Sequence, residues 1–357
     1  MANPILVNAT RGGIIESAHR GAYAIATTDG VVARLGDIDT PIFPRSSIKI
    51  FQAVPLVTSG AADAFALADE HLALACASHD GEPTHVTAAT AMLHASGAEL
   101  DALACGAHAP SGRRAADALV AAGEQPSALH NNCSGKHAGM IAVARHRGFA
   151  VSDYEHKDHP VQQDVREVLA RVAGTPLDTA PCGIDGCSLP TYAMPLAAMS
   201  RAMVHVARAR DGAASARDAS APNLPAEISG ALARLRTACV AHPEMTSGAH
   251  RHCARVMRAS GGEAYVKVGA EGVYCGAVFS HDRAIGIALK IDDGAFRAAE
   301  VAVATIIAHL LPERALALAT LSRPLLKNWR GTAVGDLAPS EPFSSALADA
   351  ASALSIT

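Results

Sequence analysis

A chain of 357 residues, half of them hydrophobic, can bury a large core in one big domain or two coupled ones. A formal net charge of -4, with basic residues scattered along the chain, argues against a nucleic-acid surface or a polybasic membrane patch and favours a small-molecule partner. The stretch Met1 to Asn8 has neither a charged leader nor a long apolar run, and no later stretch reaches bilayer length. The expectation is therefore a cytoplasmic protein, whose eight cysteines serve as thiols or metal ligands rather than as a disulfide framework.

In chain order, Tyr23 to Arg34 reads as a hairpin around Asp29-Gly30. Pro44 to Leu56 reads as a helix start, with Pro and Ser leading into an apolar run; Ser46 and Lys49 then share one face, and Ser47 is off-phase. The triplet Ser78-His79-Asp80 follows. Val86 to His94, Arg114 to Ala122 and Val161 to Val172 are Ala- and Leu-rich tracts of helical character. Ala207 to Pro225 lacks periodicity and is expected as an exposed loop. Ala264 to Ala270 reads as a short strand ending in Gly, where Lys267 can project from a sheet edge into a cleft. Val273 to Phe279 and Ala284 to Ile291 read as two strands around a polar turn at His281-Asp282-Arg283, followed by a helix from Ala295 to Leu311.

Strand signals at both ends and helical tracts between them predict an α/β (α+β) chain. A sheet assembled from about 1–45 and 262–357 carries a helical insert of about 46–261, all in one domain over 1–357. The cleft between the two parts is where Ser46, Lys49, Ser78 and Lys267 would meet.

Those residue types suit nucleophilic acyl transfer. A serine hydroxyl is a weak nucleophile until a partner takes its proton, and a lysine can do so once burial and nearby cations leave it neutral. Ser46-Ser47-Ile48-Lys49, the Ser78 triplet and Lys267-Val268-Gly269 imitate, in order, the three signatures of serine acyl-enzymes of the β-lactamase and penicillin-binding class, with Val in place of Thr in the last. The plainer alternatives are an N-cap serine, a solvated helix lysine and an edge-strand gatekeeper. The loops His130 to His137 and Pro181 to Cys187 are dense in metal-binding groups but lack the paired spacing of a structural zinc site. A ligand set drawn from both could hold one zinc with an open position; the alternative is small buried thiols. Cys133 beside Lys136 and His137 also permits a thiolate nucleophile, a reading that leaves Ser46, Lys49 and Lys267 without roles.

Arg11-Gly12-Gly13-Ile14-Ile15-Glu16-Ser17, Pro44-Arg45-Ser46-Ser47 with Lys49, Ala75-Cys76-Ala77-Ser78-His79, and above all Asn131-Asn132-Cys133-Ser134-Gly135-Lys136-His137 resemble the asparaginase II family typified by inducible rhizobial L-asparaginase. The likeness continues through His159-Pro160-Val161-Gln162, Cys182-Gly183 to Pro190, Lys267 to Gly272, Lys290-Ile291 with Asp293-Gly294, and Asn328-Trp329 with Gly331. The resemblance implies a serine β-lactamase/penicillin-binding-protein-like fold and a homodimer that hydrolyses L-asparagine to L-aspartate and ammonia. It further implies two facing Ser-Lys tandems, Ser46 with Lys49 and Ser78 with Lys267, as the catalytic groups. A zinc ion held by Cys133, Lys136 and Cys187 is implied beside them. The expected substrate-binding groups are Arg45, His79, His137 and Asp185, the last close to the substrate amine. A non-catalytic amino-acid sensor is the rival class, and four proton-handling groups are more than a binder needs. An exported β-lactamase or peptidase is the other, and the N-terminus offers it no export signal.

Overall fold

The computed structural model describes residues 2–209, 224–280 and 283–354. Ten strands are named among them: β1 Ile5–Arg11, β2 Ile14–Thr27, β3 Gly30–Leu35, β4 Cys182–Ile184, β5 Pro190–Tyr192, β6 Ala264–Val268, β7 Val273–Val278, β8 Ile285–Ile291, β9 Leu325–Lys327 and β10 Ala333–Pro339. Eight of them form one sheet, ordered β6-β7-β8-β2-β1-β10-β9 with β3 also paired to β2, while β4 and β5 make a small separate pair. Every pairing is antiparallel.

The large sheet draws its strands from both ends of the chain, and the helices between Lys49 and Ala259 lie between those two sets in sequence. The long strand β2 joins the sets. Its first half pairs with β1, and its second half, from Gly21 to Thr27, lies between β3 and β8. Strands β6 and β7 are buried at every position. Both of their faces are therefore covered, which explains why, apart from Lys267, they do not alternate between apolar and polar residues. Helices Leu196–Arg208 and Phe296–Leu310 supply cover, each packing on β7 and β8.

The hairpin turn falls one residue earlier than expected. Thr27 pairs with Gly30, so the loop is Thr28-Asp29, and Gly30 takes the positive φ of 112°. The expected strands and helices near the C-terminal end appear as β6, β7, β8 and Phe296–Leu310, and the three tracts in the insert fall within helices Pro83–Ala95, Arg113–Ala122 and Pro160–Ala173. Most of the expected loop Ala207 to Pro225, and His281-Asp282 of the expected turn, lie outside the described residues.

The largest difference concerns Pro44 to Leu56. Instead of one helix, the chain makes a 3-10 turn at Arg45–Ile48 and short helices Lys49–Gln52 and Val54–Thr58. Pro55 has no N–H to continue the first helix, so that helix stops and a new one starts with Pro55 in its first turn, where the missing donor costs nothing. No single helix among the described residues is long and apolar enough to cross a membrane.

Candidate active site

Ser78 follows helix Asp69–Ala75, on a segment pinned to the insert by its own N–H, which donates to the carbonyl of Thr246 at 3.1 Å. Its hydroxyl stands between two amines. Lys49 Nζ is 2.9 Å from Ser78 Oγ, and Lys267 Nζ is 2.8 Å from the same oxygen. Lys49 opens the helix Lys49–Gln52 and is buried; Lys267 lies on the edge strand β6 and is fully buried. The Lys49 amine also donates to the carbonyl of Ala77, and Lys267 donates to the carbonyl of Val268 at 3.1 Å.

Two close backbone approaches make this convergence possible. A Cβ on Gly269, just past β6, would lie 2.7 Å from the carbonyl oxygen of Pro44. A Cβ on Gly135 would lie 2.4 Å from Leu74 Cγ and 2.6 Å from the Leu74 carbonyl oxygen. Glycine thus lets β6 press against the Ser46 segment, and lets helix Ser134–Arg147 press against the helix that ends just before Ser78.

Burial pushes the Lys267 ammonium down to about 7, with Lys49 and Arg251 adding repulsion. A substantial share of Lys267 is then neutral near pH 7 and able to accept the Ser78 proton.

Ser46 is positioned differently. It is half-buried on the 3-10 turn, and its hydroxyl has no hydrogen-bond partner among the described residues, because the Lys49 amine reaches Ser78 instead. The expected Ser46–Lys49 contact is thus replaced by a Lys49–Ser78–Lys267 chain with Ser46 beside it. Arg45 just before Ser46 takes a positive φ of 53°, strained backbone for a non-glycine residue. Its guanidinium donates to Asp185 Oδ1 at 2.7 Å, and the N–H of Gly186 donates to the same oxygen at 2.6 Å. Burial works against the charged carboxylate, yet the Arg45 bond and nearby Lys136 hold Asp185 below its ordinary range.

The sulfur residues gather next to this chain. Cys133 caps helix Ser134–Arg147, its N–H donating to Asn131 Oδ1 at 2.9 Å, and its Sγ is 3.1 Å from Lys49 Nζ. Lys136, one turn along, donates to Cys187 Sγ at 3.2 Å. Proximity to Cys133 outweighs burial and brings the Cys187 thiol down to about 4, while the neighbouring Cys187 and burial raise Cys133 to about 11; the Cys133 thiol itself donates to Asn132 Oδ1 at 3.0 Å. Two sulfurs and an amine converging in this way are donor types suited to a borderline-soft divalent cation, provided the amine gives up its proton. Elsewhere, the exposed or half-exposed Asp153, Glu155 and His156 bring their ligand atoms within 4.8 Å of one another, an arrangement common without an ion.

The two predicted histidines differ. His79 Nδ1 accepts the N–H of Gly81 at 3.1 Å, so its Nε2 donates to Ser134 Oγ at 2.9 Å, and Ser134 passes its own proton to the Leu129 carbonyl at 2.9 Å. Both ring nitrogens are spent on the fold, which leaves neither for a ligand. Burial, with His85 stacked at 4.9 Å, holds this ring well below the ordinary imidazole range. His137 is also buried and pushed down to about 3 by burial and then by Lys136. Its Nδ1 is 2.5 Å from the Tyr154 hydroxyl, and its Nε2 is buried without a partner among the described residues. Tyr154 escaped the sequence reading: it lies in a polar stretch without periodicity, and its one signal is an aromatic residue there.

A family model described as L-asparaginase II matches residues 7–339. No curated protein matches the chain.

Proposed function

This chain belongs to the L-asparaginase II family, and we propose that it hydrolyses L-asparagine to L-aspartate and ammonia through Ser46, Lys49, Ser78 and Lys267. The observation that carries the reading is Ser78 Oγ held between two buried amines, at 2.9 Å and 2.8 Å, one of them close to neutrality at pH 7. A purely structural serine has no use for two amines, each of which costs solvation energy to bury.

In the proposed mechanism Ser46, whose hydroxyl is free and partly accessible, attacks the side-chain amide carbon of asparagine. Its proton passes to Lys49 and on through Ser78 to Lys267. The tetrahedral adduct collapses, the carbon–nitrogen bond breaks, and a proton returned along the same relay lets the nitrogen leave as ammonia. Water then hydrolyses the aspartyl ester on Ser46, restoring the hydroxyl and releasing aspartate. That Lys49 bonds Ser78 and not Ser46 is compatible with catalytic contacts that tighten only when substrate is bound.

Arg45, Asp185 and His137 would bind the amino-acid head group, with Asp185 facing the ammonium. His79 would shape the loop that carries Ser78. Cys133, Lys136 and Cys187 would hold a zinc ion, which when bound supplies a positive charge that orients the head group. A β-lactamase-like fold, a homodimer and a cytoplasmic location complete the proposal. Ammonia release from L-asparagine by the wild type and by Ser46→Ala, Ser78→Ala and Lys267→Met, each checked for folding by circular dichroism, tests it. Full activity in both serine variants would overturn the assignment.

A further inference from the structure

Tyr154 lies between helices Ser134–Arg147 and Pro160–Ala173. Its ring is buried, edge-on to His137 with centroids 5.5 Å apart. Its hydroxyl accepts the backbone N–H of Ala104 at 3.0 Å and lies 2.5 Å from His137 Nδ1, while its own carbonyl accepts from Gln162 Nε2 at 2.9 Å. The phenol hydroxyl is therefore held by two groups, and the residue's backbone by a third.

A phenol has one proton to give and two lone pairs to offer. The Ala104 N–H can only donate, so it occupies one lone pair. If His137 Nδ1 also carried a proton, the Tyr154 proton would have no acceptor and Nε2 would be a second buried group without a partner. If Tyr154 donates to Nδ1, every atom of the trio is satisfied except the Nε2–H. Fewer stranded buried groups decides the arrangement.

Building on the asparaginase reading, we propose that Tyr154 is a positioning residue whose hydroxyl holds His137 as the Nε2–H tautomer, so that His137 donates a hydrogen bond to the α-carboxylate of the substrate. The opposite tautomer would turn a lone pair toward that anion and repel it. Tyr154 touches no reacting atom in this scheme; it acts through the imidazole.

The test combines nitrogen-15 NMR of histidine-labelled protein with kinetics. The His137 signal is assigned by its loss in His137→Gln, and the position of the ring proton is read in the wild type and in Tyr154→Phe. The expected result is a proton on Nε2 in the wild type, and a shift toward Nδ1 in Tyr154→Phe. That variant should raise KM for L-asparagine about tenfold, as loss of a bond to a charged group does, with kcat changed less than about twofold. Glutamine at 137 places an amide N–H near the Nε2 position without help from a neighbour, so adding Tyr154→Phe to His137→Gln should leave KM where His137→Gln alone puts it. A wild-type proton on Nδ1 overturns the proposal, and that measurement needs no variant that folds. An equal rise in KM in both backgrounds overturns it too, since it marks a structural effect. Absence of asparagine turnover with the proton on Nε2 removes the carboxylate role and the asparaginase reading while the tautomer assignment stands.

Discussion

Ser78 Oγ and Lys267 Nζ stand 2.8 Å apart although 189 positions separate them in the chain. The contact joins the helical insert to the edge of the sheet, and the proton relay depends on it. Lys267→Met should lower kcat by about 100- to 10,000-fold, the usual range for loss of a general base. Lys267→Arg should be no better, because a guanidinium cannot be deprotonated in a protein. Steady-state ammonia release measures both; near-normal turnover by the arginine variant would exclude Lys267 as a base.

The pH dependence follows from the same group. With Lys267 held at about 7, the base is protonated and idle below that pH and neutral above it. The kcat/KM profile should rise through a limb near pH 7 and level off in mildly alkaline solution. A flat or falling profile over that interval would contradict a lysine base.

Stability should carry the matching signature. Between about 7 in the folded state and the ordinary 10.5 of an unfolded lysine, the unfolded chain binds more protons at this position than the folded one. Raising the pH through that window therefore favours folding, by up to about 1.4 kcal/mol per pH unit. Lys267→Met removes this contribution. Denaturant titrations of wild type and variant at pH 7 and pH 10 should give a difference in stability that moves toward the wild type as pH rises, and a difference independent of pH would refute the burial argument.

Zinc removal should weaken substrate binding more than chemistry, because the proposed proton relay runs through Ser78 and the lysines rather than through the sulfur cluster. After chelation KM for L-asparagine should rise while turnover at saturating substrate persists. Zinc retention should itself decline as pH falls, since the lysine and thiol ligands must be deprotonated to coordinate. Metal analysis by emission spectroscopy beside a saturation curve tests both, and complete loss of turnover at saturation would show that the metal takes part in the chemistry.

Gly135→Ala probes the packing behind Ser78. Its new methyl would sit 2.6 Å from the Leu74 carbonyl oxygen, a backbone atom that cannot swing aside. Overpacking of this kind costs about 1–3 kcal/mol. The melting temperature and kcat should fall together as the Asp69–Ala75 helix is displaced; an unchanged melting temperature would mean that the two helices part without cost.

Local chemistry was readable in the sequence. The strands β6, β7 and β8 can be found from their hydrophobic content and the β2–β3 hairpin from its turn residues, while Ser46, Lys49, Ser78 and Lys267 stand out as candidates by residue type and spacing. The break at Pro55 was also on the page, but the apolar run around it reads as continuous.

What the tertiary structure alone decided is which groups share a proton. Spacing of three residues put Lys49 with Ser46, whereas packing turned its amine to Ser78, 29 positions away, and to Cys133, 84 away. It also spent both nitrogens of His79 on the backbone and on Ser134, and set Tyr154 against His137. Residue types fix what each side chain can donate or accept. Partnership and burial are set by contacts between segments distant in sequence, and burial is what leaves the Lys267 amine close to neutral.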